Sequence, residues 1–111
     1  MNRAIDPLRG GVWDTLRPLV GLHSAIILTV NPLIPRLSAV TVAVVTGTAG
    51  PPSTYIPLDA HAGLTRYPES FVNATDLHTV SQTRLRQRRG LLHSPAELMR
   101  LEDAVRLYLG L

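Results

Sequence analysis

The 111-residue sequence contains no cysteine and no lysine. The first absence excludes disulfide scaffolds, thiolate metal sites and cysteine nucleophiles. The second means that all 11 basic side chains are arginine. Aromatic residues make up only 5% of the chain, so Trp13 and Tyr55 are too few to form a platform on which bases stack. Long apolar runs are also missing. The longest, Ala25–Leu28 and Val42–Val45, fall far short of the ~18 residues that mark a membrane helix. The opening MNRAIDPLRGGVW is polar and lacks the apolar stretch of a signal peptide. These absences predict a cytoplasmic protein with no membrane contact.

What is present points to a globular chain: 45% apolar and 17% charged residues, with a net charge of +3. A folded protein of this mass exposes roughly 6,000 Å² of the ~17,500 Å² its extended chain would show. That suffices for one domain spanning residues 1–111, with 1–8 expected as a flexible N-terminal extension. An excess of three charges is too small to identify an anionic partner, so the placement of the arginines must decide.

Nine prolines and eight glycines divide the first two-thirds into short pieces, as a many-stranded fold requires. Val12–Leu16 alternates weakly and reads as a strand, followed by a loop through Gly21. Ser24–Val30 is β-branched and nearly all apolar, the pattern of a strand buried on both faces. Ala39–Thr46 is the strongest strand. Ser53–Leu58 reads as an edge strand because Pro57 cannot donate to a ladder. Ser70–Asn73 and Leu77–Val80 are shorter strand candidates, and Arg86–Leu92 a final one. Ser81 caps one predicted helical turn through Leu85. Ser94-Pro95-Ala96-Glu97 then predicts a helix with Ser at the N-cap, Pro at N1 and Glu closing a capping box. Leu98, Leu101, Val105 and Tyr108, with Ala104 between them, fall on one face of it, and Gly110 ends it. The fold class predicted is α+β, mainly β: a small antiparallel barrel or sheet with an amphipathic C-terminal helix.

With its elements in this order, the chain resembles the MazF/PemK family of toxin–antitoxin endoribonucleases from about Leu8 to Leu111. Arg9-Gly10-Gly11-Val12-Trp13 is similar to the family's opening Arg-Gly-x-[Ile/Val]-[Trp/Tyr]. Ser24–Val30 with Asn31 resembles its second strand, and Ala39–Thr46 its third, which ends at a functional Thr. The most specific stretch runs from Val72-Asn73 through Gly90, with Ser94-Pro95-Ala96-Glu97 and the closing Leu109-Gly110-Leu111. The resemblance implies an SH3-like antiparallel barrel of the MazF/CcdB type and a homodimer. It also implies metal-independent cleavage of single-stranded RNA, with no cofactor. In that reaction the ribose 2′-OH attacks its own phosphate and leaves a 2′,3′-cyclic phosphate and a 5′-OH end. A cognate antitoxin with an acidic tail is the implied protein partner. Sequence preference would be set by the loops Arg17–Leu22, Gly47–Pro52 and Asp59–Pro68.

Residue by residue, the functional Thr carries over onto Thr46, with Thr48 as the alternative if the register slips by two. The family's catalytic Arg at the start of the second strand, usually followed by Pro, is replaced by His23-Ser24. Two readings of His23 stand. It reads either as a strand cap in a weakened RNA- or antitoxin-binding relative, or as a competent general acid or base, since imidazole ordinarily titrates near 6.5. An imidazole cannot grip phosphate bidentately, so Arg17 or Arg9 is the candidate for that contact. Thr75 and Asp76 match family positions that contact RNA bases, and Ser24, standing where the family has Pro, is a further candidate RNA contact. His78 alternates with Asp76 on one face. His61 and His93 have no ligand partners at metal spacing, so no metal site is assigned. Arg84, Arg86, Arg88 and Arg89 form either a solvated edge or a patch for RNA phosphates or an acidic tail. Outside RNA cleavage, the alternative is a CcdB-like toxin without catalytic activity that binds DNA gyrase through C-terminal residues such as Tyr108-Leu109-Gly110-Leu111.

Overall fold

The computed structural model describes residues 6–59, 62–64, 69–92 and 94–111. The segments between the glycine and proline breaks supply six strands. They are β1 (Gly11–Arg17), β2 (Gly21–Ile27), β3 (Ala39–Thr46), β4 (Tyr55–Leu58), β5 (Ser70–Ser81) and β6 (Leu85–Leu91), followed by the helix α1 (Pro95–Leu109). All pairings are antiparallel, in the order β4-β5-β3-β2-β1-β6. The α+β class and the C-terminal helix agree with the sequence reading. No ladder joins the edge strands β4 and β6 among the described residues, so the barrel is a curled sheet. Residues 62–64 approach from the β4 side: Gly63 lies so close to the Arg89 carbonyl of β6 that no side chain fits between them.

Three boundaries differ from expectation, each for a local reason. β2 begins at Gly21 and stops at Ile27, instead of spanning Ser24–Val30. Leu19 and Gly21 both take positive φ (67° and 85°), so the β1–β2 hairpin turns tightly and pairs down to Arg17↔Gly21. At the other end the Thr29 hydroxyl accepts from the Thr41 amide and replaces a backbone acceptor of the ladder. Second, Ser70–Asn73 and Leu77–Val80 are parts of one 12-residue strand, β5. Its register against β3 shifts between Val44↔Asn73 and Ala43↔Leu77. The Asn73 carboxamide oxygen accepts from both the amide (2.9 Å) and the hydroxyl (2.7 Å) of Thr75, an Asx turn that holds the bulge. Third, β4 starts at Tyr55 because Pro51–Thr54 forms a turn, with the Pro51 carbonyl accepting from Thr54 and Tyr55.

Each face of the sheet has its own core. One cluster (Val12, Ile26, Ala43, Val45, Val72 and Ala74 among others) is covered by Leu101 and Ala104 of α1. We call this the helix face. The opposite face buries Trp13, Ala25, Ile27, Val40, Val42, Val80 and Leu85 with Ile34 from the β2–β3 connection. Alternation along the strands assigns every other residue to one face or the other. Ser94 takes the extended N-cap conformation with Pro95 following, but its side chain makes no capping bond, so the predicted box is not closed. Its backbone carbonyl accepts from Glu97 and Leu98 instead. Tyr108, placed on the buried stripe by its spacing, is half exposed, as are Leu107 and Leu109 beside it. Gly110 ends the helix in the left-handed conformation (φ 74°). Pro7, inside the predicted N-terminal extension, is buried, and residues 1–5 lie outside the described residues.

Candidate active site

β1 and β2 form a regular hairpin in which Thr15 stands opposite His23 and Arg17 opposite Gly21. Arg17 and His23 are therefore diagonal neighbours, a separation that a long side chain spans. Counting in steps of two from Trp13 and Ala25, both belong to the face opposite the helix. Thr15 beside them is fully buried, and its hydroxyl donates to the His23 carbonyl at 2.9 Å, which fixes the backbone of His23.

Thr46 closes β3, as the sequence predicts. The β2–β3 ladder is recorded over Ala25↔Val44, Ile26↔Ala43 and Ile27↔Val42. By alternation from Val42 and Val44, Thr46 lies on the same sheet face as His23. The Thr46 hydroxyl accepts from the Thr48 amide at 3.2 Å, which aims the oxygen and leaves its own proton to donate. Thr48 itself is exposed.

β5 contributes the remaining polar groups. His78 pairs with Val42 and so shares the face of His23 and Thr46. Its Nε2 lies 2.6 Å from Asp76 Oδ1 and 3.1 Å from the Arg17 guanidinium. In the sheet order β2 and β3 separate β1 from β5, and flat strands that far apart would stand about 14 Å away from one another. Curling of the sheet brings the two together. Thr75 sits in the bulge, its hydroxyl bound to Asn73, whose amide donates to the Tyr55 hydroxyl at 3.0 Å. Arg17, Asp76 and His78 are thus in contact, on the sheet face that also carries His23 and Thr46.

Two other sequence candidates lie elsewhere. Ser24 alternates to the helix face, where its hydroxyl donates to Asp14 at 3.0 Å. Arg9 reaches α1: its Nε and NH2 donate to one Glu102 oxygen at 3.1 and 2.5 Å, with both side chains about three-quarters buried. Its backbone amide donates to the Asn31 side chain. In the arginine run, Arg86 and Arg89 fall at the two register shifts between β1 and β6. They therefore do not continue one face with Arg88. Arg89 pairs with Asp14 at 3.0 Å. His61 and His93 lie outside the described residues. Among the described residues no group of three or more His, Asp or Glu side chains is placed to hold a metal ion. The same residues include no helix long and apolar enough to cross a membrane. The spacing of Asp76 and His78 was readable in sequence, but their partner Arg17, 61 residues away, had no local signal.

The strands and helix define a small α+β domain built on a curled antiparallel sheet, and solved structures share this fold over nearly their whole length. An endoribonuclease from a mycobacterial species, solved with its cognate antitoxin, superposes with a TM-score of 0.84 at 24% identity, covering 96% of this chain and 97% of that one. The Mycobacterium tuberculosis toxin MazF-mt6 gives 0.80 at 27% identity over 91% and 97%. A MazE-MazF complex from Deinococcus radiodurans gives 0.75 at 17% identity over 96% and 98%. No family model matches the chain, and no curated protein matches it in sequence. In its fold the chain resembles MazF toxins.

Proposed function

We propose that this chain is the toxin of a type II toxin–antitoxin pair, a metal-independent endoribonuclease that cuts single-stranded RNA. The observation that carries the reading is the convergence of His23, Thr46 and Arg17 on one sheet face in a MazF-like fold. In this reading His23 takes the proton from the ribose 2′-OH as O2′ attacks phosphorus. The Thr46 hydroxyl and the Arg17 guanidinium donate to the phosphorane oxygens, where charge accumulates. The P–O5′ bond then breaks, leaving a 2′,3′-cyclic phosphate on one fragment and a 5′-OH on the other. Thr48, Thr75 and Asp76 contact the bases. Arg9, held by Glu102, and Ser24, on the helix face, act at most through the backbone they anchor. The reading includes a homodimer, cytoplasmic action and an antitoxin whose acidic segment covers the RNA groove.

The test is incubation of purified protein with mixed-sequence RNA in EDTA, scoring fragments for 5′-OH and cyclic-phosphate ends. His23→Ala and Thr46→Ala should each lower cleavage by about 100-fold or more while the circular dichroism spectrum stays unchanged. Intact RNA, or cleavage that persists at full rate in His23→Ala, would overturn the assignment. Exposure of Tyr108, Leu109 and Leu111 favours the second reading, a gyrase-binding toxin. It predicts stalled gyrase–DNA complexes and no RNA fragments.

A further inference from the structure

RNA transphosphorylation needs two proton transfers, one from the 2′-OH and one to the leaving 5′-oxygen. His23 accounts for the first, and the Thr46 hydroxyl is too weak an acid for the second. We propose that His78 is the general acid of the reaction, held in place by Asp76 and released for catalysis when Arg17 moves onto the RNA phosphate. The proposal rests on the endoribonuclease reading and adds to it a catalytic residue and a substrate gate.

The geometry at Nε2 of His78 is the reason. Asp76 Oδ1 at 2.6 Å can only accept, so it calls for a proton on that nitrogen. The Arg17 guanidinium at 3.1 Å can only donate, so it calls for a bare nitrogen. One nitrogen cannot satisfy both. Without RNA, the Arg17 guanidinium competes with Asp76 for that nitrogen. A scissile phosphate is the stronger partner for a guanidinium. Once Arg17 turns to it, Asp76 alone holds Nε2–H and orients the ring. Nδ1–H is then free to donate. Among the described residues, the charged side chains in contact with His78 are Asp76 on its own strand and Arg17 from β1, and His23 from β2 lies on the same face. β3 presents Val42 opposite it, which carries no charge. His78 and Asp76 are 35% and 44% exposed, so substrate can reach them while sequence-distant neighbours still fix their orientation.

The step balances. His23 gains the 2′-OH proton, the O2′–P bond forms, the P–O5′ bond breaks, and O5′ takes the proton that leaves His78. Exchange with water afterwards returns a proton to His78 and removes one from His23.

The experiment measures initial rates on an RNA oligonucleotide that the wild-type protein cuts, and on the same oligonucleotide with sulfur replacing the 5′-oxygen at the scissile bond. Thiolate leaves without protonation, so the second substrate does not need the acid. His78→Gln is expected to lower kcat about 100-fold or more on the oxygen substrate, with KM changed less than threefold. It should lose the basic limb of the pH–rate profile, and come within about tenfold of wild type on the sulfur substrate. His23→Ala should stay defective on both. Asp76→Asn should show a smaller kcat loss with the same sulfur rescue. Wild-type rates for His78→Gln on the oxygen substrate, or an equal defect on both substrates, would overturn the role of His78 and leave the endoribonuclease reading standing. A wild-type protein that cuts neither substrate overturns both.

Discussion

Replacing Gly63 with alanine probes the contact that brings the segment before β5 onto β6. Gly63 has φ of +68°, and a Cβ built on it would lie 1.9 Å from the Arg89 carbonyl oxygen and 2.7 Å from the carbonyl carbon. Ordinary contact begins near 3.4 Å, so one backbone must retreat by roughly 1.5 Å. Arg89 cannot yield easily. Its neighbour Gly90 is paired with Val12, and its own side chain is tied to Asp14. Gly21 supplies the control: its φ is +85°, yet nothing lies within 4 Å of a Cβ there. Gly21→Ala therefore carries only the left-handed backbone cost, ~1–2 kcal/mol. Gly63→Ala adds overpacking of ~1–3 kcal/mol. That difference corresponds to a Tm about 4–12 °C lower than that of the control. Urea unfolding of both variants, compared at equal m-values, measures the difference directly. Agreement of the two within 0.5 kcal/mol, on the order of the usual additivity error, would mean that residues 62–64 are not held on β6.

Arg9→Ala and Glu102→Ala should each destabilise the fold by about 1–3 kcal/mol, with a coupling of ~1–2 kcal/mol in the double-mutant cycle. The pair is only about a quarter exposed, so 0.5 M salt should reduce that coupling by less than half; independent effects would remove the pair from the account of α1 docking. Ser24→Ala should leave RNA cleavage within about threefold of wild type, because its partner Asp14 lies on the helix face. A loss matching that of Thr46→Ala would show that the face assignment is wrong. Asn73→Ala removes the acceptor for Thr75 and the donor for Tyr55. It should cost ~1–3 kcal/mol in thermal unfolding and lower cleavage as the bulge relaxes and Asp76 shifts; full activity would separate the bulge from the site.

Much of the strand plan was legible because it is written in local chemistry. β-branched runs between proline and glycine breaks read as β1 and β3, and Pro57 as an edge position. Ser81, Ser94-Pro95 and Gly110 mark the ends of turns and of the helix. Less legible were the extent of β2 and the continuity of β5. Both depend on partners far along the chain: β2 on pairing with β1 down to Gly21, β5 on an Asx turn that bends the strand without ending it. The end of β3 at Thr46 was legible because a strand end shows in sequence. Ser24 was drawn in by its neighbour His23, although adjacent strand residues point to opposite faces.

The sequence by itself determined the α+β class, the element order, a cysteine-free chemistry built on arginine and histidine, and the likeness to MazF toxins. Tertiary structure decided which of those side chains meet. Arg9 turned to Glu102 and Arg89 to Asp14, while Arg17 crossed a curled sheet to His78. The reason is physical. Periodicity and capping act over a few residues, whereas the curvature that joins β1 to β5 arises from strand twist and packing summed over the whole sheet.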